Sequence, residues 1–306
     1  MNDQIQAAAA LIRAGQLVAF PTETVYGLGA NALDAAAIAR IYEAKGRPAS
    51  SPLIAHAASL AMARSLVEEW PETAAILASR FWPGPLTLVL RKRSHVPAAL
   101  TAGLDTVGVR IPAHPLALAL IEAAGVPIAA PSANRFTALS PTTAEHVRES
   151  LGSRVAMILD GGPTTVGLES TVLSLATREA VLLRPGMIAQ ADLEALIGPV
   201  RRVANIAATA HPSPGLHARH YSPRTPLLLI ADGSLPQHGR GAYLWIRRPA
   251  PCARSIQMPA DAASYARELY ATLHELDGEH LDWIAAERPP PDWTAILDRL
   301  ERASAK

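Results

Sequence analysis

The chain has 306 residues, 28 Lys plus Arg against 27 Asp plus Glu, 49% hydrophobic residues and one cysteine. That length and apolar content can bury one large core or two unequal ones, which excludes disorder as the main state. A formal charge of +1 excludes coating of nucleic acid by bulk charge, and the lone Cys252 excludes an internal disulfide or a multi-cysteine zinc site.

Apolar periodicity predicts a helix over about 3–14, a strand over Gln16 to Phe20 ending at Pro21, and a helix from Asp34, its N-cap, to Ala44. Short β-like runs follow at Leu53 to His56, Leu86 to Leu90, Thr106 to Ile111, Val126 to Ala130, Ala156 to Asp160, Thr171 to Leu175 and Val181 to Arg184. Helical stretches fall between them at about 59–68, 72–80, 115–124, 142–151 and 189–197. Many strands with interspersed helices predict an α/β protein, a mixed twisted sheet with helices packed on it. Residues 1–200 form this first domain. Over 201–225 the periodicity stops, and the segment carries four arginines and no acid, so it reads as a basic Pro/Gly linker. Residues 226–306 restart as strand, strand, helix, strand and helix, enough for a small C-terminal α/β domain.

No run approaches 18 uninterrupted apolar residues, and the N-terminus lacks a basic region followed by an apolar core. No membrane contact is expected, and a reducing cytoplasm is the expected compartment.

Five segments have residue types that suit chemistry. PTETVYGLGAN (Pro21 to Asn31) lies between a strand and a helix, where α/β proteins place ligands, although its glycines also suit a plain connection. KGRPASSPLIAH (Lys45 to His56) puts two cations at a helix C-terminus; they can offset the helix dipole or meet a polyanion such as a triphosphate. In TVGVRIP, Arg110 ends an apolar strand and needs a carboxylate, from the protein or from a substrate. APSANRFTALSPT (Ala130 to Thr142) is a hydroxyl-rich loop suited to anions or to turns and caps, and GLESTV with LLRPG adds Ser170 and Arg184. No G-x-S-x-G elbow occurs, and His217 with His220 has no evident third ligand, so neither covalent nor metal hydrolysis is expected.

Taken in order, PTETVYGLGAN, KGRPASSPLIAH, FWPGPLTLVL, TVGVRIP, APSAN, SPT, ESTV and LLRPG resemble the YrdC family of threonylcarbamoyl-adenylate synthases. SPGLHARHYSP is similar to the linker of its long, two-domain form. The resemblance implies that L-threonine, bicarbonate and ATP, with Mg²⁺ carried on the nucleotide, give threonylcarbamoyl-AMP and pyrophosphate. A downstream transferase would then modify the adenosine beside the tRNA anticodon. It further implies that Thr24, His56, Arg110, the Ala130 backbone and Ser170 line a threonine site. Arg47, Ser51, Thr106, Ser132, Ser140, Arg184 and Tyr221 would hold ATP, with Lys45 beside Arg47 on the phosphates as the catalytic cations. No resident metal site is implied. Ser51 stands where the family usually has asparagine. Arg219, His220 and Tyr221 are expected to fold over the nucleotide as a lid. The alternatives are carbamoyl-adenylate chemistry, whose enzymes carry acylphosphatase and zinc-finger modules missing from this sequence, and a structured-RNA-binding module of the same fold. Near-neutral residues 1–200 make any tRNA contact weak.

Overall fold

A computed structural model describes residues 2–202, 220–231 and 233–305. Its first sheet contains β1 (Val18–Phe20), β2 (Gly27–Asn31), β3 (Ile54–His56), β4 (Leu86–Arg91), β5 (Thr106–Arg110), β6 (Ile128–Ala129), β7 (Met157–Ile158), β8 (Thr171–Ser174), β9 (Ala180–Arg184) and β10 (Val200–Arg202). Their spatial order is β10-β9-β8-β4-β5-β3-β6-β2-β1-β7, with parallel and antiparallel neighbours mixed, as the irregular spacing of strands and helices predicted.

Helices cover both faces. On one, α1 (Asn2–Arg13) and α6 (Pro115–Ala124) pack Ile12, Leu120 and Ile121 against Val18, Phe20 and Ile128. On the other, α2 (Ala35–Lys45), α4 (Glu72–Phe81), α5 (Ala98–Thr101), α7 (Ala144–Leu151) and α8 (Gln190–Ile197) bury the larger core around Leu28, Ile41, Leu88 and Leu173. A short α3 (Leu60–Ser65) also lies in this region of the chain. Helix α2 starts on Asp34, whose carboxylate accepts from the backbone N–H groups of Ala36 and Ala37, and stops at Gly46 in the left-handed region, φ 62°. This capping delivers Lys45 and Arg47 at a fixed helix end. Asp34→Ala is expected to cost about 1 kcal/mol, read as a lower urea midpoint with an unchanged m-value.

The second sheet, β11 (Leu227–Ile230), β12 (Gly241–Trp245), β13 (Arg254–Gln257) and β14 (Trp283–Glu287), is wholly parallel in the order β11-β14-β12-β13. Helices α9 (Ala262–Asp277) and α10 (Thr294–Ala303) pack on one face. Their core is continuous with Val25, Leu139, Leu168 and Tyr221 from outside this sheet, so the two layers share buried apolar surface.

Several elements differ from the sequence expectation. Gly27 to Asn31, expected within a connection, is strand β2, paired with both β1 and β6. Arg201 and Arg202, expected in the linker, pair with β9 in the first sheet. Strand β13 was not expected at all.

Candidate active site

Residues at the ends of several strands of the first sheet line a narrow cleft. Thr24, Arg47, His56, Arg110, Ala130, Ser132, Ser170, Arg184 and Tyr221 line it, so most of the residues singled out in the sequence meet at one place. The register explains part of this: β3 and β5 run parallel with His56 opposite Arg110, so a strand-end histidine and a strand-end arginine reach the same opening.

Arg110 is buried, donates from Nε to Gly84 O at 3.1 Å, and pairs through Nη2 with Glu23 Oε1 at 2.7 Å. The carboxylate it required is supplied in this structure by the protein, from the PTETVYG segment. Glu23 also accepts from the Ala113 N–H, which ties this segment to the turn after β5. Thr22 and Thr24 share a hydroxyl–hydroxyl hydrogen bond of 2.8 Å on the same wall.

Ser170 Oγ shares a 2.8 Å hydrogen bond with Thr87 Oγ1, and its carbonyl accepts from Nε and Nη2 of Arg184. Arg47 donates to Ser51 Oγ and Pro52 O, and its guanidinium lies 5.8 Å from the Phe136 ring centroid. Burial pushes its pKa down to about 10, still well above neutrality. Arg47 forms no ion pair among the described residues, so its charge is available to an anion. Ala130 lines the cleft, and its N–H donates to Ile54 O.

Four expected residues stand elsewhere. Lys45 is fully buried, and its ammonium donates to Ser132 O at 2.6 Å, to Asn134 O at 2.5 Å and, at 3.4 Å, to Asn134 Oδ1. Three acceptors satisfy its three donors. Burial and then neighbouring Arg47 push its pKa down, while these acceptors favour the charged form. In this structure Lys45 therefore braces the 132–134 loop. Ser51 holds Arg47 from behind, and Ser140 donates to Glu169, itself on the wall. Thr106 begins β5 opposite Arg91, about 13 Å along the strand from Arg110, and is not brought to the cleft.

Of the expected lid, His220 and Tyr221 do line the cleft, whereas Arg219 lies outside the described residues, as does His217. Glu169, on the cleft wall, and Glu23, which pairs with the wall residue Arg110, are carboxylates that the sequence did not single out, although both lie inside segments flagged there.

His56 is buried, and its Nδ1 lies 3.3 Å from Ile54 O. Burial and then Arg110 hold its pKa down at about 3, so the imidazole is neutral at working pH. The unfolded chain takes up a proton below about pH 6.5 that folded His56 refuses, so stability falls as pH drops from 6.5 toward 3. The penalty is expected on the order of 2 kcal/mol at pH 5, and His56→Gln should flatten denaturant midpoints across that window.

The family described as telomere recombination, Sua5_yciO_yrdC, matches residues 10–186, and the C-terminal domain of threonylcarbamoyl-AMP synthase, Sua5_C, matches residues 188–305. The chain belongs to the Sua5/YciO/YrdC family. Within this family it is 45% identical to the threonylcarbamoyl-AMP synthase of Bacillus subtilis over 325 residues, covering 99% of this chain and 94% of that one. It is 44% identical to the Pyrococcus abyssi enzyme of the same name over 320 residues, covering 98% and 94%. The crystal structure of P. abyssi Sua5 complexed with L-threonine superimposes with a TM-score of 0.93 at 41% identity, covering 99% and 95%. These near full-length matches give the Sua5 architecture to both layers of the fold.

Proposed function

We propose that this chain is a threonylcarbamoyl-AMP synthase, acting on L-threonine, bicarbonate and ATP. The observation that carries the reading is the cleft wall of Arg47, Arg110 and Arg184 in a chain alignable end to end with synthases, one of which is solved with L-threonine.

The chemistry needs no protein nucleophile. The threonine amine attacks bicarbonate carbon to give the carbamate with loss of water. A carbamate oxygen then attacks the α-phosphorus of ATP, the bond to the bridging oxygen breaks, and pyrophosphate leaves with the electron pair. Arg110 and the Thr22–Thr24 hydroxyls form the amino-acid end, and a substrate carboxylate competes with Glu23 for the Arg110 fork. Arg47 and Arg184 stabilise the charge that develops on the leaving pyrophosphate. His56, neutral, serves as an orienting wall group rather than an acid.

Mg²⁺ enters as part of the nucleotide. Among the described residues no group of three His, Cys, Asp or Glu is placed to hold a metal, and Glu169 on the cleft wall and Glu23 beside Arg110 each pair with an arginine. The product suits a downstream transferase acting on the tRNA adenosine beside the anticodon. The cytoplasm is the compartment proposed for that sequence, and no helix of the described residues is long and apolar enough to cross a membrane. The structured-RNA-binding alternative has no comparable observation behind it.

The test is pyrophosphate release from MgATP by the purified protein, with and without L-threonine and bicarbonate, with mass spectrometry of the adenylate. Release that requires both, with the threonylcarbamoyl-AMP mass, is the expected result. No release in any combination overturns the reading.

A further inference from the structure

The wall of the cleft is held from behind by a residue of the second layer. Arg299 on α10 is 1% exposed and donates from Nε to Glu169 Oε2 at 2.7 Å, while its Nη1 pairs with Asp298. Its guanidinium carbon lies 5.0 Å from the centroid of the Tyr221 ring. Glu169 and Tyr221 both line the cleft, and Arg299 does not.

Each is otherwise fastened to the same frame. Glu169 accepts from Ser140 Oγ and from Tyr270 Oη on α9, and its chain neighbour Ser170 receives Arg184. Tyr221 sits at φ 60°, its ring 4.1 Å from that of His220 and 6.1 Å from that of Tyr270. The peptide runs between α10 and the 137–138 turn: His220 N donates to Arg302 O, and Ser222 N to Thr137 O. Tyr221 Oη is buried without a hydrogen-bond partner among the described residues, so the ring's place is set by what lies on its faces.

A buried ion pair is a poor stabiliser compared with apolar packing of the same shape. The buried positions of α10, Ala295, Ile296, Leu300 and Ala303, form an apolar stripe that a leucine at 299 would complete. The arginine therefore needs a reason other than core stability. We infer that Arg299 is a positioning residue for the nucleotide, fixing Glu169 through its fork and Tyr221 through its face, so that the second layer completes the ATP wall of the first. This rests on the synthase reading above and adds the role of the C-terminal layer in it.

The test compares Arg299→Met, Arg299→Lys and the paired variant Glu169→Gln with Arg299→Met, which leaves no carboxylate buried alone if the single change fails to fold. Calorimetry gives the affinities for ATP and L-threonine, and amide exchange reports residues 220–222. Arg299→Met and the paired variant are expected to weaken ATP about tenfold, to leave L-threonine within about twofold, and to speed 220–222 exchange about tenfold. Arg299→Lys keeps the ion pair but not the flat face, and should fall between. Folded variants with unchanged ATP affinity and exchange overturn the inference. So does equal weakening of both substrates in step with a fallen Tm, the mark of a merely structural pair. A wild-type protein that binds no ATP overturns the synthase reading instead.

Discussion

Arg110→Met is expected to lower kcat/KM for L-threonine by about three orders of magnitude while the KM for ATP moves by less than about threefold. Arg110 is 4% exposed, and its fork offers a charge-assisted, directional contact that no other threonine-end group supplies. Truncating one member of a buried pair costs about 3–5 kcal/mol, largely because the remaining charge is stranded. Here the stranded group is Glu23, left with only the Ala113 N–H. Adding Glu23→Gln should therefore restore the Tm without restoring use of threonine. Arg110→Lys keeps the charge but loses the fork and the Gly84 contact, and should recover only part of the loss. Equal losses for both substrates, recovered by Glu23→Gln, would make Arg110 a clamp for the Glu23 segment and not a substrate ligand.

The second large effect is at Gly167, two residues before Glu169. Its φ is +81°, and a Cβ there would lie 2.4 Å from Ala266 O and 2.5 Å from Arg267 Cα, both backbone of α9. Neither atom can rotate away, so Gly167→Ala must drive α9 outward, with Tyr270 one turn further on drawing off Glu169. The strained φ and the overpacking together predict a loss of about 3 kcal/mol, measured by denaturant unfolding, with weaker ATP binding by whatever folds. Gly103 is the control. It has the same φ of +81° and nothing within 4 Å of its Cβ position, so Gly103→Ala should cost only about 1 kcal/mol and leave ATP binding alone.

The strands that read clearly in the sequence are those with continuous apolar runs, such as Leu86–Arg91, where burial on both faces leaves its mark on composition. Strand β2 did not, because its sequence GLGAN is dictated by close approach. A Cβ on Gly29 would meet Phe20 at 2.8 Å and the Val18 carbonyl at 3.0 Å, so the position excludes the branched residues that announce a strand. Strand β13 lies at the sheet's edge and is only half-buried, with no apolar run to find. In the site, residues close in sequence to a turn or strand end were legible. Lys45 was legible as a cation but not as a brace, since its carbonyl acceptors belong to a loop 87 residues away. Arg299 carried one signal, an arginine on the apolar stripe of an amphipathic helix, and nothing local could say which carboxylate it would meet.

The contact between Glu169 and Arg299 also sets an order of events during synthesis, because it spans 130 residues and Arg299 is the last of the site's residues to leave the ribosome. At usual elongation rates Glu169 waits on the order of ten seconds for its counter-ion. Through that interval the first sheet can pair and pack while its nucleotide wall lacks the arginine behind it. A chain unfinished at α10 is therefore expected to hold ATP more weakly, and full affinity is expected only once α10 has packed.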